Sequence, residues 1–129
     1  TRVVRQAYFE HPSYVPLLKR AYALWRELEA HSDQPLLCLP GGLMMGPANS
    51  AVVAGSLRSA QEHGLDHELL GADDLRQRFP QFRVSNDTVA LFEPTAGLVW
   101  CERSVSAHLA WAAASGAEVR FEEPAIRWP

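Results

Sequence analysis

Two arginines near the start of the chain are the residues whose type and spacing best suit ligand binding. Arg2 and Arg5 lie three positions apart in the segment Thr-Arg-Val-Val-Arg, residues 1–5. If this segment forms a helical turn, the spacing places both guanidinium groups on one face. A guanidinium can hold a carboxylate or a phosphate through two parallel hydrogen bonds. The pair therefore predicts an anion site; the alternative is two surface arginines at a chain end.

Histidines and glycines offer weaker candidates. His63 and His67 are four residues apart, a spacing that can bind a metal on a continuous helix, but Gly64 should end the helix between them. No third ligand follows at a suitable spacing, so no metal site is predicted. Gly41 and Gly42 lack the remaining glycines of a dinucleotide-binding fingerprint, and this pair predicts a turn between strands.

Serines and acidic pairs also favour structural roles. No serine lies in the Gly-x-Ser-x-Gly context of a nucleophile elbow. Asp73 and Asp74 suit the first turn of a helix, where carboxylates complement the helix dipole. Glu122 and Glu123 suit a surface turn. No catalytic residue is assigned within the chain.

Composition limits the class of protein. The 129 residues are 47% hydrophobic and 21% charged with a net charge of −3, which predicts one folded domain over residues 1–129. No apolar run approaches the roughly 20 residues of a membrane span, and no basic run suggests nucleic-acid binding. The absence of a secretion leader predicts a cytoplasmic protein, in which Cys38 and Cys101 are expected to be buried free thiols.

Short helices and strands alternate along the chain and must position the arginines. The predicted helices cover Tyr14–Ala30, Ser50–His63, a short segment from Gly71 to before Pro80, and a segment from Glu102 to before Gly116. The predicted strands cover residues 36–39, 42–46, 67–70, 89–92, 98–100, 119–121 and 125–128. This order predicts an α+β fold with a mixed, mostly antiparallel sheet and helices packed on one side.

Two helices carry explicit expectations about their buried faces. Ser13 is expected to cap the first long helix. The buried stripe of that helix is predicted to contain Val15, Leu18, Tyr22, Trp25 and Leu28. The inner face of the last helix is predicted to contain Val105, Leu109 and Ala112.

A series of motifs in the same order resembles one flavoprotein family. These motifs are Thr1–Tyr8 followed by Tyr14–Leu17, Leu24–Glu29, Gly41–Leu43, Gly46–Pro47, Arg78–Pro80, Phe92–Pro94, Gly97–Leu98 and Ser115–Val119. Together they resemble the monomeric sarcosine oxidase and N-methyltryptophan oxidase family of D-amino-acid-oxidase-like flavoproteins. The likeness covers nearly all 129 residues in order.

The resemblance implies the substrate-domain part of an enzyme that uses FAD. Such enzymes oxidise the C–N bond of an N-methylated or other amino acid: hydride passes to the flavin, the imine hydrolyses, and oxygen gives hydrogen peroxide. In the Thr-Arg-x-x-Arg motif of the family, the first arginine lies against the flavin and the second binds the substrate carboxylate. The resemblance therefore implies cofactor binding by Arg2 and substrate binding by Arg5.

Several family features have no counterpart in the sequence. The Gly-x-Gly-x-x-Gly motif, the histidine-containing loop before the Thr-Arg motif and the C-terminal part are absent. Neither Cys38 nor Cys101 matches the cysteine that attaches flavin, and Lys19 does not match the lysine that engages oxygen. We therefore expect the FAD-binding half of the same chain to be a required partner. The fragment alone should neither retain FAD nor turn over, and exposed apolar faces should allow it to self-associate.

Three alternatives remain open at this point. The D-amino-acid or glycine oxidase branch competes for the substrate class. A non-catalytic module could bind a small carboxylate through Arg2 and Arg5, and a purely structural domain is the third alternative. The sequence does not select among sarcosine, N-methyltryptophan and other amines.

Overall fold

The computed structural model describes residues 2–124, 126 and 127. Its strands are β1 (Arg2–Val4), β2 (Leu37–Cys38), β3 (Gly42–Pro47), β4 (Glu68–Leu70), β5 (Thr88–Glu93) and β6 (Gly97–Val99). Its helices are α1 (Val15–Ala30), α2 (Ala51–His63), α3 (Ala72–Arg78) and α4 (Cys101–Ala114), with a 3-10 turn at Pro12–Tyr14 before α1. The predicted α+β class is confirmed.

The strands form two small antiparallel sheets. One sheet has the order β1–β6–β2 and the other has the order β3–β5–β4. The turn between β5 and β6 directs these two strands into different sheets, so β6 pairs with β1 and β2. The antiparallel pairing is confirmed, whereas the expectation of a single sheet is corrected to two.

Helices cover both faces of the β3–β5–β4 sheet. Met44 and Leu91 share a core with residues of α2, whereas Met45 and Ala90 pack with Leu75 of α3. Successive residues of a strand face opposite sides of a sheet, so α2 and α3 lie on opposite faces. This arrangement corrects the expectation that the helices pack on one side.

The buried stripe of α1 is confirmed. Val15, Tyr22 and Leu28 are buried, and Leu18 and Trp25 are half-buried. Their spacing follows the helical period, so one face of α1 packs inward and the polar face remains in water. This stripe places Tyr22 beneath the turn that joins β5 and β6.

Helix ends follow local sequence signals in α2 but not in α1. Ser50 Oγ accepts a hydrogen bond from the amide of Val53 at 3.3 Å, and Gly64 ends α2 with a φ of 58°, where glycine carries no Cβ penalty. The prediction that Ser13 caps α1 is wrong. Ser13 lies within the 3-10 turn, where its amide donates to Nδ1 of His11 at 3.1 Å.

The last helix departs most from expectation. Its buried residues are Ser104 and Ala107, whereas Val105 is 59% exposed and Leu109 is 38% exposed. The predicted inner face is therefore wrong: α4 packs against α1 through a small side chain, Ala107, in a cluster with Leu28 and Leu36.

The end of the chain does not form the first of its two predicted strands. Residues 119–121 lie in irregular backbone. Of the expected strand at 125–128, residues 126 and 127 lie in irregular backbone, and residues 125 and 128 lie outside the described residues.

The cysteines and the His63/His67 pair do not form the sites or the buried positions that the sequence suggests. Cys101 is half-buried and Cys38 is exposed, which corrects the expectation that both thiols are buried. His63 ends α2 and His67 lies beyond Gly64, so the two imidazoles do not share a helix face. Across the described ranges, no three metal-ligating side chains come together. None of the described helices has both the length and the apolar character that crossing a bilayer requires.

Candidate functional site

An apolar cavity of about 470 Å³ lies where the two sheets meet. Its walls come from β3, from the turn before it, from β6 and from the segment that follows β1. Arg5 is the charged member of its described lining, and the other lining residues are apolar or glycine. A mainly apolar cleft with one fixed polar group is the usual form of a small-molecule site.

Arg5 is held in this cavity mainly by aromatic rings. Its guanidinium carbon lies 4.7 Å from the ring centroid of Tyr8 and 5.6 Å from that of Phe9. Its Nη2 lies 3.7 Å from Oε1 of Glu10, a long ion pair with a half-exposed acid. Exposed pairs of this kind contribute at most about 1 kcal/mol. The two rings therefore orient the guanidinium, and no strong ion pair with Glu10 occupies its hydrogen-bond donors.

One donor of Arg5 remains unsatisfied by the protein. Nε is buried and has no hydrogen-bond acceptor among the described residues. A buried donor without an acceptor costs about 1–3 kcal/mol. The side chain as a whole is 23% exposed, so the rest of the guanidinium can meet a carboxylate, which a guanidinium binds in a bidentate manner.

The two arginines do not share a face. Arg2 lies in β1 and pairs with Val99 of β6, whereas Arg5 comes directly after the last residue of β1. Alternation along the strand places Val3 and Arg5 in the described cavity lining and leaves Arg2 outside it. The prediction of a helical turn is therefore wrong, because the segment pairs with β6 as a strand.

A buried carboxylate anchors the chain immediately after Arg5. Glu93, at the end of β5, accepts hydrogen bonds from the amides of Gln6 at 2.7 Å and Ala7 at 2.8 Å. The hydroxyl of Thr95 donates to the same carboxylate at 2.9 Å. Glu93 and Ala7 are both fully buried. An ionised side chain is tolerated inside a protein when several donors satisfy it.

Sequence reasoning missed this role of Glu93. The residue entered only as part of the Phe92–Pro94 motif. A charged residue that ends the apolar strand Thr-Val-Ala-Leu-Phe-Glu is nevertheless a detectable signal, because acids are rarely buried without partners.

The helix α2 supports the aromatic rings beside Arg5. Gly55 lies so close to the segment that follows β1 that an added Cβ would stand 2.3 Å from the carbonyl oxygen of Phe9. On the same helix, the hydroxyl of Ser59 donates to the carbonyl of Tyr8. These contacts fix the backbone that presents both rings to the guanidinium.

Tyr22 closes the network below Glu93. Its hydroxyl donates to the carbonyl of Thr95 at 3.1 Å, and the side chain is buried. Burial raises the pKa of Tyr22 well above its ordinary value of 10, and the negative charge of Glu93 raises it further, against opposing effects of Arg26 and Arg5. The phenol therefore stays protonated and keeps donating.

The Tyr22→Phe variant tests this assignment through pH. Near neutral pH, we expect it to lose about 1 kcal/mol of unfolding free energy with the hydrogen bond. Because the pKa is raised in the folded state, the wild type loses stability as pH rises above about 10, and the variant lacks this loss. The difference between the two proteins, measured by urea denaturation, should shrink at high pH. A constant difference would contradict the assignment.

Comparisons with known proteins converge on one group. Residues 1–128 match the family model described as FAD dependent oxidoreductase. The chain is 52% identical over 128 residues to monomeric sarcosine oxidase of Streptomyces avermitilis, covering 99% of this chain and 33% of the relative. It is 40% identical over 127 residues to N-methyl-L-tryptophan oxidase of Salmonella arizonae, covering 98% of this chain and 34% of the relative.

A solved structure agrees at the level of the fold. NikD, an amino acid oxidase essential for nikkomycin biosynthesis, matches in its open form with a TM-score of 0.78 and 24% identity. The match covers 92% of this chain and 31% of that chain. The chain thus spans about a third of the length of the relatives it matches.

Proposed function

The chain belongs to the FAD-dependent oxidoreductase family, and from this premise we propose that it forms the substrate-binding part of an oxidase. The proposed reaction oxidises the C–N bond of an N-methylated or other amino acid. The observation that supports this proposal best is Arg5, the one cation among the described residues that line the apolar cavity. The family resemblance seen in the sequence is confirmed, whereas the extent of this domain stays a prediction.

Arg5 supplies the recognition step in this proposal. Its guanidinium binds the substrate carboxylate through two parallel hydrogen bonds from the exposed part of the side chain. Because the walls around it are apolar, water is displaced and the ion pair is stronger than it would be in bulk solvent. The same walls accept the alkyl groups on the amine nitrogen. The carboxylate end of the substrate is thus fixed at Arg5, and this orients the C–N bond relative to the cavity walls.

The residues present fit one edge of a flavin site. Arg2 is exposed on β1, next to Val3, which lines the cavity. A cation at this position would favour negative charge on the reduced flavin ring. When bound, FAD would supply the hydride acceptor, and oxygen would then give hydrogen peroxide. We propose Arg2 as its neighbour and the FAD-binding half of the same chain as the required partner. That the isolated chain does not retain FAD, does not turn over and can self-associate stays a prediction.

A matched pair of amines tests the proposal. The full-length gene product that contains this chain should show flavin absorbance and release peroxide with sarcosine or N-methyltryptophan. It should release much less with dimethylamine or N-methyltryptamine, which are the same amines without the carboxylate. Equal turnover within a pair would contradict the role of Arg5. Carboxylate binding without flavin or peroxide would instead favour the non-catalytic module.

A further inference from the structure

We propose that Glu93 is a positioning residue that holds Arg5 at the substrate carboxylate; this inference rests on the proposed function of Arg5. Glu93 itself is fully buried and points into the protein rather than into the cavity lining described above. It acts through the backbone that carries Arg5.

The carboxylate uses both oxygens on consecutive amides. Oε1 accepts from Gln6 at 2.7 Å and Oε2 accepts from Ala7 at 2.8 Å, with Thr95 adding a third donor to Oε1. Hydrogen bonds to an ionised acceptor are shorter and stronger than those between neutral groups. Two such bonds to neighbouring peptide units fix the orientation of the chain as well as its distance.

Arg5 is the single residue between two fixed points. On one side, Val4 pairs with Gly97 at the end of β1. On the other side, the amide of Gln6 is bound to Glu93. The backbone of Arg5 therefore has little freedom to move independently of these two contacts.

Glu93 also joins the two walls of the cavity. It ends β5, whose partner strand β3 lines one wall, and it pairs there with Gly42. Its carboxylate binds the segment that follows β1 in the other sheet. Glu93 therefore links Arg5 to β3 directly, in addition to the pairing of β1 with β6, and the position of Arg5 decides where a bound carboxylate lies.

The Glu93→Gln variant tests the acceptor oxygens of the carboxylate without changing the size of the side chain. Glutamine keeps the size of the side chain but offers one acceptor oxygen, and its NH₂ group opposes an amide N–H. One of the two amide contacts is therefore lost. In the flavin-loaded full-length gene product without oxygen, we expect the apparent Kd for sarcosine to rise roughly tenfold, taken from how the rate of flavin reduction depends on sarcosine concentration. The Kd for dimethylamine should stay within about twofold.

A double variant distinguishes positioning from general damage. In an Arg5→Ala background, Glu93→Gln should cause no further loss of sarcosine binding, because the residue acts through Arg5. An equal loss for both amines, or an additive loss in that background, would overturn the proposal. Glu62→Gln is the matched control: it makes the same change from carboxylate to amide in an exposed ion pair with Arg58 on α2, and it should change the Kd by less than about twofold.

Hydrogen exchange gives a second readout that does not depend on activity. The amides of Gln6 and Ala7 should exchange faster in Glu93→Gln, and unchanged exchange would overturn the proposal. If that variant fails to bind flavin, Glu93→Asp replaces it: the shorter acid keeps the charge but cannot reach both amides, so the same selective loss is expected. A wild type that binds neither sarcosine nor N-methyltryptophan contradicts the proposed function, whereas a Glu93→Gln variant that binds the carboxylated amine as tightly as the wild type contradicts this inference.

Discussion

Replacing Arg5 by alanine is expected to weaken the binding of a carboxylated amine by roughly 2–5 kcal/mol, a loss of about 30-fold or more. The variant removes the cation in the described cavity lining. A carboxylate would then be desolvated against apolar walls without a partner. The measurement is the apparent Kd of sarcosine for the flavin-loaded full-length gene product, taken from how the rate of flavin reduction without oxygen depends on sarcosine concentration.

The same variant should change stability much less than binding. Arg5 carries a buried donor without an acceptor and a long ion pair of 3.7 Å to Glu10, so its removal sacrifices mainly the contacts with two aromatic rings. We expect a change in unfolding free energy of about 1 kcal/mol or less. Urea denaturation of the same preparations checks this separation of effects.

Two further variants sharpen the result. Arg5→Lys keeps the charge but loses the planar fork, so binding should fall between that of the wild type and that of Arg5→Ala. Arg58→Ala makes the same substitution at an arginine in an exposed ion pair with Glu62 on α2, and it should leave sarcosine binding unchanged. Sarcosine affinity that survives Arg5→Ala at the level of Arg58→Ala would refute the assigned role.

Elements with strong local signals could be predicted from the sequence. Ser50 and Gly64 bracket α2 because a hydroxyl cap and a left-handed glycine act within a few residues. Pro80 limits α3 because proline cannot continue a helix. The stripe on α1 follows the helical period over four turns, which is long enough to be unambiguous.

Features set by distant pairing could not be predicted in this way. The strand β1 has three residues, too few for a period, and it exists because it pairs with residues 97–99. The partners of Glu93 lie 86 and 87 positions away, so no local pattern could identify them. The substrate role of Arg5 came from the family resemblance, whereas the cavity around it depends on how the two sheets meet.

The inner face of α4 shows how packing can override periodicity. Val105 and Leu109 are spaced for a buried stripe, yet both are exposed, and the contact with α1 uses Ala107. Trp111 of α4 and Trp25 of α1 pack against the same cluster, so the buried side of α4 carries Ala107 and Trp111 instead of the predicted pair. Hydrophobic spacing identified the helix but not its orientation.

Gly97→Ala is expected to lower the unfolding free energy by about 1–3 kcal/mol and to weaken sarcosine binding as well. Gly97 lies in β6, the central strand of its sheet. A Cβ at this position would stand 2.1 Å from the carbonyl oxygen of Cys38 and 2.7 Å from the Cα of Leu39. These are backbone atoms, so no side-chain rotation can relieve the overlap, and the strands must separate.

The effect on binding follows from the partner of Gly97 on the other side. Gly97 pairs with Val4, the residue before Arg5, and it lines the cavity itself. Separation of β6 from β2 therefore shifts the strand that carries Arg5. Gly71→Ala is the matched control, because an added Cβ there would stand 3.7 Å from Asp74 Oδ2, an ordinary contact, and its loss of unfolding free energy should stay below about 1 kcal/mol. If Gly97→Ala unfolds at the same urea concentration as Gly71→Ala, close strand packing does not hold Arg5 in place.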